Sequence, residues 1–186
     1  MVSIVIPIKR VENEYWSLLN NAIQSVLRQT YTDYELLIGI YDNDVADGRN
    51  EALERCLGEY CLTLDADDTL EPTFLEKTVP LMTEYDIVAT DAYMNGSIWK
   101  AGTGNFEDNN QILNCSLFKK EIWNKYHFDN TLGGLEDWDW NLKAVRNGYT
   151  VGILREPLVN ISDRPNSRNK EATKNYLSLK NKICQQ

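Results

Sequence analysis

Three short apolar runs alternating with stretches of helical periodicity occupy the first third of the chain. Residues 2–8 are β-branched and almost unbroken in apolarity, the pattern of a strand buried on both faces of a parallel sheet. Pro7 and the polar Lys9 and Arg10 close that run. Residues 13–28 then place Leu18, Leu19, Ala22, Ile23, Val26 and Leu27 at helical spacing, with Asn13 as the expected N-cap. A second apolar run covers 34–40 and a loop dense in Asp and Asn covers 42–47. A short helix is predicted over 48–57, stopped by Gly58. The third run, 59–64, leads straight into Asp65-Ala66-Asp67-Asp68. Strand, helix, strand, helix, strand makes a right-handed parallel α/β unit. Ligands in such sheets collect at the carboxyl ends of the strands, where the 65–68 cluster and the Asp42 loop both fall.

Beyond the cluster, the pattern predicts a helix over 71–82 entered through Pro72 and a strand over 86–92. The Gly- and Asn-rich stretch 94–110 reads as a hairpin or loop over the site. A strand over 112–118, a short helix over 119–125, and a helix over 136–147 between Gly133-Gly134 and Gly148 follow. Late strands are expected at 150–154 and 158–161. There is no internal repeat. The 186 residues suffice for one core. The expected architecture is a single α/β domain over 1–160, a mostly parallel central sheet flanked by helices. Residues 161–186 form a basic segment that closes on it or packs against it.

The formal net charge is −9, and it is uneven: 161–186 carries +4 and 1–160 carries −13. An acidic body disfavours a nonspecific nucleic-acid binder. The basic tail suits a phosphate, a membrane surface or the body itself, or simply a solvated terminal helix. Five Trp and ten Tyr supply flat apolar faces suited to sugars and bases. Cys56, Cys61, Cys115 and Cys184 match no zinc spacing. They read as reduced thiols of a cytoplasmic protein, Cys56 and Cys61 as small core residues. The opening run has no basic stretch ahead of it, unlike a signal peptide, and no run approaches a membrane span.

Three Asp among four residues fit two readings. Crowded carboxylates repel unless a cation joins them, and hard divalent ions take oxygen ligands, so Asp65, Asp67 and Asp68 could hold Mn²⁺ or Mg²⁺. Equally, Asp68-Thr69-Leu70-Glu71 could cap the following helix. Glu136, Asp137 and Asp139 likewise suit a helix N-terminus through its dipole.

The order of several segments resembles family 2 glycosyltransferases. These are Val2-Ser3-Ile4-Val5-Ile6-Pro7, Ser25-Val26-Leu27-Arg28-Gln29-Thr30-Tyr31, Tyr34-Glu35-Leu36-Leu37-Ile38, Arg49-Asn50-Glu51-Ala52-Leu53, Gly58-Glu59-Tyr60, Leu64-Asp65-Ala66-Asp67-Asp68 and Glu136-Asp137-Trp138. The resemblance extends over roughly residues 2–170. The resemblance implies a GT-A (Rossmann-like) fold and an inverting transfer from a nucleoside-diphosphate sugar, often a UDP-sugar, with Mn²⁺ or Mg²⁺ at the Asp-x-Asp motif of Asp65 and Asp67, Asp68 adjoining. It places a general base at the Glu136–Asp137 pair, Asp137 being the choice. The helix N-terminus is expected to keep Asp137 ionised and less basic. The donor would lie across Pro7, Asp42, Arg49, Ala66 and the Asp cluster. Trp138 and Trp140 are candidates for stacking on the acceptor, Trp140 being the freer and Trp138 the closer to core. His127 reads as structural.

Two departures stand out. Residues 40–49 bridge directly a gap that usually holds an Asp-Asp-Gly-Ser-like turn, a helix and a strand. Asp42, with Asp44 as fallback, is then the candidate for base recognition. In place of a His-Pro-x-Ser segment stands Arg164-Pro165-Asn166-Ser167-Arg168, where Arg164 or Arg168 could fork onto a diphosphate or belong to a solvated basic linker. The acceptor is expected to be soluble, with a nucleic acid not favoured. The competing function is a nucleotide-sugar-binding module without catalysis.

Overall fold

The computed structural model describes residues 1–10, 15–162 and 176–185; Asn13, the expected cap, lies outside them. One eight-stranded sheet runs in the order β2 (Tyr34–Tyr41), β1 (Val2–Lys9), β3 (Tyr60–Thr63), β7 (Leu117–Lys119), β5 (Ile87–Met94), β8 (Val151–Ile161), β4 (Thr69–Leu70), with β6 (Ser97–Trp99) paired to β5. The long ladders β1–β2, β1–β3 and β5–β8 are parallel. The antiparallel ladders are two or three residue pairs each.

Alternation along the strands feeds two cores. Ile4, Ile6, Leu62, Leu64, Val88 and Leu117 face the core shared with α1 (Tyr15–Leu27) and α3 (Phe74–Thr78). Val5, Cys61, Ile87, Ala89 and Phe118 face the opposite core. That core is built with α2 (Val45–Glu54), α4 (Lys120–Lys125), α5 (Glu136–Arg146) and the C-terminal α6 (Tyr176–Gln185). With helices on both faces, all of residues 2–8 in β1 are buried, which is why that run carries no polar alternation. Cys56 and Cys61 are buried free thiols, as small core residues should be.

Several boundaries differ from the sequence pattern, each for a local reason. α2 starts three residues early because Asp44 caps it, its Oδ1 accepting from Ala46 N at 2.9 Å. It also ends before Gly58. That glycine instead presses on β1, donating its N–H to Ser3 Oγ at 2.8 Å, where a Cβ would meet Ser3 N at 2.6 Å. The expected helix over 71–82 is short: α3 passes into a 3-10 turn, Val79–Thr83, at Pro80, which has no N–H to give an α-helix. The late strands are one, because a bulge opposite Asp91 absorbs the polar break at Arg155–Pro157. Residues 112–116 form a loop, leaving only Leu117–Lys119 in the sheet.

The carboxyl end of α1 holds the chain as it leaves the Asp cluster. Ser25 Oγ accepts from Leu70 N at 3.1 Å. The Gln29 amide donates to Glu71 O at 2.7 Å and accepts from Leu75 N at 3.0 Å. On the other side of the sheet α2 lies against β2 backbone to backbone: a Cβ on Gly39 would fall 1.9 Å from Gly48 O. This close approach brings Arg49, the next residue of α2, under the ends of β1 and β3. Gly39→Ala should therefore cost about 1–3 kcal/mol of stability by overpacking, read as a lower urea midpoint at unchanged slope.

Candidate active site

Arg49 is the centre of the site. Its side chain is 2% exposed, its Nη2 donates to Asp65 Oδ1 at 2.7 Å and its Nη1 donates to Glu136 Oε1 at 2.6 Å. The Phe128 ring lies 5.5 Å from the guanidinium carbon. Burial opposes the charge, but Asp65, Glu136 and Asp137 outweigh it and hold the Arg49 pKa above its ordinary value. One guanidinium thus ties the turn after β3 to the first turn of α5.

The neighbouring Asn50 fixes α2 from its other side. Its Oδ1 accepts from Trp123 Nε1 and Phe128 N, and its Nδ2 donates to Phe128 O. The Arg-Asn pair therefore serves geometry: one residue orders the acidic groups and the other anchors the loop carrying Phe128.

The approach to α5 is contorted. Gly133, Gly134 and Leu135 all have positive φ, at 72°, 147° and 59°. For a leucine this is uncommon backbone, and it turns the chain so that Glu136 and Asp137 open the helix at the site. Asp137 keeps part of its surface open but is hemmed in. A small cavity beside it is lined by Phe118, Phe128, Trp140, Asn114 and Asn141. Burial, then repulsion by Glu136, pushes the Asp137 pKa up to about 6, against the pull of Arg49 and the Trp138 N–H. The expected depression by the helix N-terminus is thus overturned: desolvation and a like charge next door exceed the dipole. Asp137 Oδ2 accepts from Asn110 Nδ2 at 2.8 Å.

The capping reading of the Asp cluster does not hold. Thr73 is the N-cap of α3, and Asp68, 5% exposed, accepts from Ser162 N at 2.9 Å through Oδ1. Asp65 and Asp67 are partly exposed, and Ala66 packs against the α1-side core. Among the described residues no three His, Cys, Asp or Glu side chains form a ready metal cage. The available donors are carboxylate oxygens, the set suited to Mg²⁺-like ions that keep waters and take substrate phosphates as further ligands. Asp65 and Asp67, both partly exposed, offer oxygen donors of the kind that hard divalent ions take.

The remaining sequence candidates are scattered in role. Pro7 is buried in β1, 3.4 Å from where a Cβ on Gly48 would lie. Asp42 is exposed at the end of β2 and paired with Arg10 at 3.0 Å. Asp44 is the α2 cap. Trp138 and Trp140 require correction as acceptor platforms: they are 0% and 3% exposed, with their indole N–H groups donated to Phe106 O and Tyr126 O. Both fill the core under α5, and Trp140 is no freer than Trp138. Arg164 and Arg168 lie outside the described residues. His127 stacks on Trp123 at 4.4 Å, a structural place. Asn110 and Asn141 went unread in the sequence; Asn141, one turn beyond Asp137 on α5, was the available signal.

Residues 41–134, about half of the chain, match the model of Glycosyl transferase family 2. The chain belongs to that family. The match takes in Arg49 and the Asp cluster and stops just short of Glu136. Over 128 residues the chain is 27% identical to an uncharacterized glycosyltransferase of Methanocaldococcus jannaschii, covering 60% of this chain and 44% of that protein. The first 349 residues of S. aureus TarS, solved with UDP-GlcNAc, share the fold at a TM-score of 0.76 and 15% identity, over 98% of this chain and 65% of that one. A mannosyltransferase, PcManGT from Pyrobaculum calidifontis, solved with GDP-Man and Mn²⁺, superposes at 0.66 and 12% identity over 91% and 59%. These structures establish the GT-A fold. The chain spans less than two thirds of the length of each of these relatives. No helix among the described residues is long and apolar enough to cross a membrane.

Two stability measurements test this electrostatic arrangement. Arg49→Met strands the buried Glu136 and should cost about 3–5 kcal/mol in urea unfolding, and Arg49→Lys should recover only part because one ammonium cannot fork to both carboxylates. The Asp137 pKa is raised on folding, so ionised Asp137 opposes folding above pH 6 and contributes nothing below its unfolded value near 4. Asp137→Asn should thus be the more stable protein at pH 8, by about 1–3 kcal/mol, with the advantage vanishing by pH 4.

Proposed function

We propose that the chain transfers a sugar from a nucleoside-diphosphate sugar, a UDP-sugar foremost, to an acceptor hydroxyl with inversion at the anomeric carbon. The single observation that carries the reading is the Arg49 bridge: it gathers Asp65 and the Glu136–Asp137 pair, far apart in sequence, around one guanidinium. The TarS complex with UDP-GlcNAc and the PcManGT complex with GDP-Man support a nucleotide-sugar donor.

In this reading the donor lies along the carboxyl ends of β1, β2 and β3. Asp42 meets the base, and the turn of Asp65, Ala66 and Asp67 faces the ribose, sugar and diphosphate. Asp67 and Asp65 would hold Mn²⁺ or Mg²⁺, which when bound offsets the charge on the departing diphosphate. Asp137 accepts the proton of the acceptor hydroxyl as its oxygen bonds to the anomeric carbon and the bond to the diphosphate breaks. A carboxylate with a pKa of about 6 is ionised at neutral pH yet basic enough to take that proton. Glu136 sustains that pKa by repulsion and stays clear of the proton transfer, engaged with Arg49.

The test is nucleoside-diphosphate release from UDP- and GDP-sugars with and without Mn²⁺. Asp137→Asn should lower turnover by roughly 10²–10⁴ while leaving the donor's thermal shift with Mn²⁺ intact, and Asp67→Asn should lose that metal-dependent shift. Donor binding with no turnover in the wild type, whatever the acceptor offered, would instead make this a binding module.

A further inference from the structure

Asp137 is held by more than its own helix. Asn110 Nδ2 donates to its Oδ2 at 2.8 Å. The orientation of that amide is set in turn by Asn141, whose Nδ2 donates to Asn110 Oδ1 at 3.0 Å and to Ile112 O at 3.3 Å. An amide can be read either way round, but here its oxygen is occupied by a donor, so its NH₂ must face the carboxylate. Asn141 sits one turn after Asp137 on α5, so the relay closes a small ring: α5, loop, α5.

The loop bearing Asn110 is strapped down from outside. Asp108 O accepts from Tyr176 Oη at 2.9 Å and Lys180 Nζ at 2.7 Å, both on α6. Arg146, near the end of α5, grips the Glu107 carboxylate through two hydrogen bonds of 2.8 Å. Tyr176 also stacks on Trp138, next to Asp137, at 5.7 Å. Beyond hydrogen bonds within the loop itself, Glu107, Asp108 and Asn110 bond to α5 and α6.

Resting on Asp137 being the base, we infer that Asn110 is its positioning residue, aimed by Asn141 and held in place by α6. The bond holds Oδ2 and, with it, the plane of the carboxylate. It also favours the ionised form, easing the pressure from burial and from Glu136 and Asp65; Arg49 acts in the same direction. The Cys115 thiol also feels Asp137, and burial, with Asp68 and Asp65, keeps it protonated. The α6 contacts reach Asp137 only through this loop, by way of Asp108 and then Asn110, and so make that helix a support for the base.

The experiment uses the full chain, Mn²⁺, and the UDP- or GDP-sugar that supports diphosphate release. Asn110→Ala should lower kcat about 10- to 100-fold, as misplacement of a reacting group does, with the donor KM within about twofold. Its acid limb of kcat/KM should move to higher pH, because a donor to the ionised carboxylate is gone. Asn110→Asp, isosteric and still able to accept from Asn141, should lose more and shift the limb further, and it covers the case of an unfolded alanine variant. Tyr176→Phe combined with Lys180→Met should lower kcat severalfold in the same pattern. A loss of activity with the limb unmoved would mark Asn110 as merely structural and overturn the inference. If Asp137→Asn is dead while both Asn110 variants match the wild type, the relay is wrong and the base stands. If Asp137→Asn itself retains turnover, the base assignment is what fails. Wild-type kcat in the α6 double variant would overturn the role of the strap.

Discussion

The guanidinium of Arg49 joins two parts of the chain that lie far apart in sequence. Its partners are Asp65, on the turn after β3, and Glu136, on the first turn of α5. Burying any of these charges alone would cost several kcal/mol, and the cost is met only because the fork satisfies two carboxylates at once. The helix that carries it can come this near because Gly39 and Gly48 have no side chains to hold α2 off the sheet. Packing, charge and site are therefore one problem: the glycine contact sets the depth of α2, the depth sets the reach of Arg49, and that reach sets where the acidic groups stand.

The same arrangement leaves an excess of negative charge. Three carboxylates act on one guanidinium, and the third, Asp137, shows it by its raised pKa. Stability and chemistry pull in opposite directions there. A carboxylate against Glu136 and a cavity walled by Phe118, Phe128 and Trp140 is an uncomfortable anion, and discomfort is what makes a carboxylate a useful base near neutrality. The left-handed Gly133–Leu135 turn is a further local cost at the same place, consistent with strain collecting where function needs an awkward geometry.

Strands with one continuous apolar run, such as residues 2–8, were legible because burial on both faces leaves no room for polar residues. The acidic positions were legible as types but not as environments. Dipole reasoning ran the wrong way for Asp137, since one helix end was weighed without the desolvation and the neighbouring Glu136 that tertiary packing supplies. Trp138 and Trp140 looked available because aromatic residues beside an acidic pair suit a sugar, yet their N–H groups find backbone carbonyls in the core. Strand β4 was invisible because two residues carry no period. Asn110 was invisible because its partner lies on a helix elsewhere in the chain, and a loop rich in Asn offers no local reason to choose one of them.

Gln29 shows how much can rest on a single neutral group. It gives a hydrogen to Glu71 O and takes one from Leu75 N, and it is nearly sealed from water. Only an amide of that length both gives and takes in this way. Slow chemical ageing of this amide to a carboxylate would set an oxygen against the Glu71 carbonyl and trap a charge beneath α3. Damage of that kind would spread along the chain to the acidic turn without touching any residue that meets a substrate. Old protein could thus lose the shape of its acidic turn while the acidic groups themselves remained chemically intact.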